Sequence, residues 1–336
     1  MPTRRGLTII EILIVLGISS LMTGLFFPAL RAARGSARSV VCLAMQGQLY
    51  QATMAYSLND DEWLPGVNRT GLKYRGSIRA AQSLEGNTTP ETPTSVFDWI
   101  SPVMGSIAGL SPNRALRTQQ IFEKLGCPEA RRLNDRTFGF SNDLSSDFLP
   151  LMETEGIRQI SYLAPAPFHY AGQGWSRTKY VRFPFRGPAI PPPRYLPRLE
   201  KIGAQPAGKV FVADGTRYQT AGGVLDFDVD PAPEYYGSFT SSTPIYAGST
   251  AYGRGAWARG MDVSRGREGL GKNRRRLSYR HGGRINVVYF DGHGGSMSEV
   301  DSKTNAAAWY PGGSVFTGVR ATPESLERHE IGSTLP

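Results

Sequence analysis

Residues 7–30 read LTIIEILIVLGISSLMTGLFFPAL, and this apolar run constrains the chain more than any other feature. A helix of about 20 apolar residues spans the hydrocarbon core of a bilayer, and the run has that length. Its only charge is Glu11. An ionisable group in a membrane segment costs about 2.5–3.5 kcal/mol on insertion scales, so where one occurs it is normally paired and functional. No basic residue lies within a turn or two of Glu11 on the apolar side. Its partner would come from another chain, or be a new α-amino group made by cleavage after Gly6. An ordinary signal peptide fits less well. The run exceeds the usual apolar length of about 7–15 residues, no A-x-A site follows it cleanly, and a carboxylate sits near its start.

The helix is expected to continue past the span. Residues 29–59 hold no proline and are rich in Ala, Leu, Met and Gln, all good helix formers. Val40, Leu43, Leu49, Ala52 and Tyr56 approximate one apolar face. Asn59, Asp60, Asp61 and Pro65 read as stop signals. A helix over 7–58 would be about 78 Å long at 1.5 Å per residue. Two helices broken near Pro28 or Gly35 are the alternative.

Composition narrows the classes. The chain has 336 residues, 40% of them hydrophobic, enough for a packed core of one large or two small domains. With one apolar run it is not polytopic. Two cysteines exclude a disulfide-dense scaffold and a four-cysteine zinc site, but allow one bridge. The net charge of +10 suits any polyanion and selects none.

Along the rest of the chain, 114–125 reads as a short helix and 138–142 as a short strand. Residues 210–215 form an apolar run closed by Asp214-Gly215, a strand-to-turn signal. Residues 285–290 are the best strand. Both of its faces carry apolar groups, which places it centrally in a sheet. Gly282-Gly283 and Asp291-Gly292 mark turns at its two ends. Segments 66–95, 165–200 and 233–275 read as loop insertions, the middle one Pro-rich, aromatic and on the surface. Residues 301–336 read as a weakly patterned tail.

Two motifs carry a resemblance. Arg4, Arg5 and Gly6 followed by Leu7-Thr8-Ile9-Ile10-Glu11 resemble the cleavage and methylation motif of type IV prepilins and type II secretion pseudopilins. Pro28 falls where pilins often carry a helix-kinking proline. The second motif is His281, nine residues, then Asp291-Gly292. It resembles the C-terminal region of a pilin-like subfamily abundant in Planctomycetes. Cys42, the Cys127-Pro128 step and the strand ending in Asp214-Gly215 match that subfamily as well.

The resemblance implies an α+β pilin-like fold, with a long N-terminal helix packed on an antiparallel sheet. The implied layout is a leader over 1–6, a transmembrane and filament-core helix over 7–30, its continuation over 31–60, and an exported head over 61–300. It implies that a prepilin peptidase cuts after Gly6 and N-methylates Leu7. Glu11 would then pair with the Leu7 ammonium of a neighbouring subunit. The implied partners are other pilin or pseudopilin subunits, an inner-membrane assembly platform and the membrane itself. The implied location is the bacterial inner membrane, single-pass, with the head outside the cytoplasm. Arg31, Arg34 and Arg38 beyond the span pull the other way under the positive-inside rule. In the implied orientation, an oxidising compartment permits a Cys42–Cys127 bridge. The alternative is two buried thiols.

No cofactor, small-molecule substrate or enzymatic activity is expected, because no nucleophile–base constellation or metal-ligand spacing is visible. Asp226, Asp228 and Asp230 alternate on one strand face, a solvated face or a weak Ca²⁺ candidate. His281, Asp291 and His293 are expected to hydrogen-bond turns; a metal or acid–base site is the lesser reading. Residues 266–273 nearly fit a phosphate-binding loop but lack its Ser/Thr. The basic run from Lys272 to Arg280 has no groove-reading module beside it, so nucleic acid is not the expected partner. The leading functional expectation is a structural filament subunit for protein secretion. The alternative is a membrane-anchored surface protein that never polymerises and holds a polyanionic glycan through basic and aromatic loops.

Overall fold

The computed structural model describes residues 8–75, 88–130, 132–133, 150–151, 154, 157–158, 161–183, 186–216, 239–249, 251–252 and 278–336. Helix α1 (Ile9–Asn59) comes first and is unbroken, with Pro28 inside it. Three shorter helices follow: α2 (Thr70–Arg75), α3 (Ser101–Met104) and α4 (Arg114–Lys124). The strands are β1 (Arg132–Leu133), β2 (Ile157–Arg158), β3 (Tyr162–Pro165), β4 (Ala189–Ile190), β5 (Val210–Asp214), β6 (Thr240–Ser241), β7 (Arg284–Tyr289) and β8 (Gly294–Ser298). Helix α5 (Glu299–Thr304), strand β9 (Val315–Phe316) and helix α6 (Pro323–Arg328) follow.

The chain is thus α+β with a long N-terminal helix. The main sheet has five strands in the order β6-β3-β5-β7-β8. It is mixed rather than antiparallel as expected: β6 runs parallel to β3, and the other pairings are antiparallel. Strand β7 lies inside the sheet between β5 and β8, and Ile285, Asn286, Val287 and Val288 are all buried. Successive side chains point to opposite faces, so the sheet is covered on both sides here.

Among the described residues, the first half of α1 packs against nothing. Residues 8–34 are all exposed, including every large apolar side chain from Ile9 to Leu30. The second half lies across β5, β7 and β8. Its buried stripe is Cys42, Gln46, Leu49, Thr53 and Ser57, at three- and four-residue spacing. This differs from the expected apolar face. Val40 is 67% exposed, and of the five expected residues only Leu49 is fully buried. The reason is close approach. A Cβ on Gly294 would meet Leu43 at 2.9 Å, so the helix sits tightly on β8. The contact is also hydrogen-bonded: Gln46 Nε2 donates to the Asn286 carbonyl at 3.4 Å, and Asn286 Nδ2 donates to the Ser39 carbonyl at 2.9 Å.

An aromatic core binds these layers. Phe211 on β5 contacts Tyr50 of α1, Trp99 and Phe290 at ring-centroid distances of 5.4–5.6 Å. Phe168 adds to it through Phe290 at 4.9 Å. The Pro-rich segment expected on the surface therefore builds the interior: Phe168, Tyr170, Phe183 and Tyr195 are buried. Aromatic area outweighs the proline signal, because prolines need no backbone donor partner. Residues 301–336 are likewise not a tail, since Trp309, Tyr310, Phe316 and Leu335 are buried.

Candidate functional site

Two regions carry chemistry. The first is the start of α1. Thr8 is its N-cap: the Thr8 hydroxyl accepts from the Glu11 N–H at 3.3 Å, and Glu11 Oε2 accepts from the Thr8 N–H at 2.8 Å. This is a capping box, in which two orphan donors of the first turn are satisfied reciprocally. The Thr8-x-x-Glu11 spacing is the signal that would have revealed it in the sequence. Glu11 thus has a partner within its own chain. Gly6 and Leu7 lie outside the described residues.

The second region is buried where α1 meets the head. Cys42 comes from the buried stripe of α1. Cys127 follows the end of α4. Asp214 is the last residue of β5, and His281 stands in the turn before β7. The Cys42 and Cys127 Sγ, His281 Nε2 and an Asp214 carboxylate oxygen all lie within 4.8 Å of one another. His281 is held by its turn: its N–H donates to the Arg284 carbonyl at 3.2 Å, and the Arg284 N–H donates back at 3.1 Å. Gly282 and Gly283 between them have φ of 62° and 86°, the left-handed region that a two-residue turn of this kind requires.

His281 Nε2 lies 2.8 Å from Asp214 Oδ2 and 3.4 Å from Cys127 Sγ. The Cys42 thiol reaches the same Asp214 oxygen at 3.6 Å, and Gln46 Nε2 donates to Cys42 Sγ at 3.7 Å. Arg280 pairs with the other carboxylate oxygen, Oδ1, and donates to the carbonyls of Ser161 and Gly215. Both cysteines and Asp214 are fully buried, and the side chains of Arg280 and His281 are only 4% exposed.

Burial raises the Asp214 pKa, and the Arg280 guanidinium offsets part of that rise. Burial opposes charge on His281 as well, but its bonds to Asp214 and Cys127 outweigh this and hold it up at about 9. Between the two thiols, the hydrogen bond from Cys42, with Arg280 and His281 nearby, pushes Cys127 down, while burial pushes Cys42 up. Both are free thiols in this structure, so the Cys42–Cys127 bridge is not formed here.

Cys127, His281 and Asp214 superficially form a nucleophile–base–acid set. A relay requires the acid on one imidazole nitrogen and the nucleophile on the other. Here Nε2 faces both, so the groups converge on one point instead. None of them lines the cleft of about 390 Å³ bordered by Phe183, Arg186, Tyr246, Tyr310 and Arg320.

The structure separates the two ends of the His281–Asp291 motif. Strand β7 stands between them, so His281, Asp291 and His293 do not form one site. Asp291 Oδ1 lies 2.6 Å from His293 Nδ1, and the His293 ring stacks on Tyr289 at 4.1 Å, at the surface. Gly292 has φ of 91°, and its missing side chain leaves room for Tyr50 of α1. Asp226, Asp228 and Asp230, the strand candidate 138–142 and the near-match at 266–273 lie outside the described residues. Sequence reading singled out Cys42, Cys127, His281 and the Asp214-Gly215 step separately. It did not assemble them, because four distant segments supply one residue each. No family model matches the chain, nor does any curated protein or solved structure.

Proposed function

We propose that the protein is a pilin-like subunit of a secretion pseudopilus or type IV pilus-like filament, anchored by α1 and processed after Gly6 by a prepilin peptidase. One observation carries this reading. Helix α1 is long and apolar enough to cross a membrane, and the apolar half is wholly exposed while the other half is docked on a folded head. Burying one large apolar side chain is worth about 1.5–3 kcal/mol, so leaving this stripe in water would cost on the order of tens of kcal/mol. Such a helix needs a bilayer, a bundle of identical helices, or each in turn. A single carboxylate in the first turn and a basic leader ending in Gly6 fit a subunit that is cut, then extracted into a filament.

N-terminal mass spectrometry of protein purified from its native membrane tests the reading. A chain that begins at N-methylated Leu7 supports it. An intact Met1, or a cut beyond Leu30, refutes it and leaves a plain anchor or a secreted protein.

The cleft favours one second reading, a non-polymerising surface protein that binds a polyanionic glycan. Arg186 and Arg320 stand with Tyr246, Tyr310 and Phe183 around it, and Arg320 donates to the Tyr246 hydroxyl at 3.0 Å. Aromatic faces and guanidinium groups are the chemistry that holds charged sugars. Heparin-column retention that falls on Arg186→Ala together with Arg320→Ala would support it. Unchanged retention would dismiss it.

A further inference from the structure

We propose that Cys42, Cys127, Asp214 and His281 bind one Zn²⁺ ion, which ties helix α1 to the head. The site would exist in a filament subunit and in a plain anchored protein alike, so it goes beyond the functional reading.

The geometry comes first. Four ligand atoms of suitable type lie within 4.8 Å of one another. Tetrahedral zinc, with bonds of about 2.0–2.3 Å, sets its ligand atoms about 3.3–3.8 Å apart. The Cys127–His281 and Cys42–Asp214 separations, 3.4 and 3.6 Å, fall in that range, and the His281–Asp214 separation, 2.8 Å, is slightly shorter.

The second argument is convergence. His281 Nε2 carries at most one proton, yet it faces both Cys127 Sγ and Asp214 Oδ2. Asp214 Oδ2 is in turn shared between His281 and Cys42. Pairwise hydrogen bonds cannot be well aligned for all of these at once. A cation at the centre satisfies all four.

The donor set then selects the ion. Two thiolates, an imidazole and a carboxylate in a tetrahedron suit zinc. Calcium takes six to eight oxygen ligands and magnesium an octahedron of them, and neither set is present here. Charge also balances. Binding requires both thiols deprotonated and the His281 ring neutral, so any proton on these three groups is released to solvent; the two thiolates and the carboxylate would then face the dication and the Arg280 guanidinium, leaving the buried cluster neutral.

Outer contacts already hold two of the four ligands. Arg280 holds Asp214 through Oδ1, which leaves Oδ2 facing the centre. Gln46 donates to Cys42 Sγ from one turn further along α1. Such outer contacts orient metal ligands. Four protein ligands leave no open position, the arrangement of a structural rather than a catalytic zinc.

The test uses the full chain, purified in detergent with zinc sulfate present and then dialysed. Elemental analysis is expected to find zinc equimolar with protein. Both thiols are expected to stay unreactive to a thiol reagent until a chelator and denaturant are added together. Replacement by Co²⁺ is expected to give thiolate charge-transfer absorption and the strong visible bands of a tetrahedral site. Outer-shell changes already lower metal affinity about 10–100-fold, so His281→Gln and Cys127→Ser are each expected to lower it by about 100-fold or more. His293→Ala, outside the cluster, is expected to leave it unchanged. Wild-type protein with less than a tenth of an equivalent of zinc overturns the proposal, whether its cysteines prove to be free or joined in a disulfide. The wild-type stoichiometry decides the matter even if a variant fails to fold.

Discussion

Gly292 and Tyr50 meet so closely that a Cβ on the glycine would lie 2.7 Å from the tyrosine ring. The Tyr50 hydroxyl donates to the Phe290 carbonyl at 3.1 Å, so helix and turn are locked together at this point. Gly292→Ala would meet both this clash and a φ of 91°. Such backbone strain costs of order 1–3 kcal/mol. Thermal unfolding of the variant should show a lower midpoint, and Tyr50→Ala combined with it should restore part of the loss from the clash.

Glu11 has two possible roles, and one substitution separates them. Gln at this position keeps the capping-box geometry but carries no charge. If the carboxylate pairs with a neighbour's terminal ammonium, Glu11→Gln and Glu11→Ala should both abolish or impair filament incorporation. If Glu11 only caps α1, Gln should behave as wild type, and Ala should lose the capping-box bond to the Thr8 N–H, about 0.5–1.5 kcal/mol. Crosslinking of membrane preparations followed by immunoblotting reads the difference.

His169 is fully buried, and burial pushes its pKa down to about 4, partly offset by a bond to the Pro65 backbone. Its folded value lies below the unfolded value of 6.5. Stability from the neutral ring is therefore complete above about pH 6.5 and is lost as pH falls towards 4. The shift corresponds to about 3 kcal/mol. Denaturant midpoints from pH 7 down to 4 should fall, and His169→Gln should flatten that part of the profile.

Lys209 is buried, and its ammonium donates to the carbonyls of Ala307, Tyr310 and Pro336. Lys209→Met would strand these acceptors, at about 1–3 kcal/mol for each that stays buried and unmet. A urea titration should show a lower midpoint with an unchanged slope, since the head stays compact.

The sequence made parts of this fold legible for simple reasons. Residues 210–215 and 285–290 stood out because a strand buried on both faces is apolar almost throughout. Helix α1 stood out through its apolar length and the run of good helix formers after Pro28. Its buried stripe did not, because Gln46, Thr53 and Ser57 look solvent-facing unless the polar backbone and close glycines of the sheet are known. The segment holding Phe168, Tyr170 and Phe183 was misread because its prolines look like surface punctuation. The thiol–imidazole–carboxylate cluster was invisible for a topological reason. Positions 42, 127, 214 and 281 share no spacing, and only the packing of α1 and the segment after α4 against the sheet brings them together.

Helix α1 passes from its free half to its docked half without a break. Phase and reach are therefore coupled between the head and whatever the free half binds. One residue inserted in the exposed stretch 31–34 would turn the free half by about 100° against the head and lengthen it by about 1.5 Å. Seven inserted residues would restore the angle to within about 20° while adding about 10.5 Å. The helix acts as a keyed shaft, whose angular setting and length are read out at its far end.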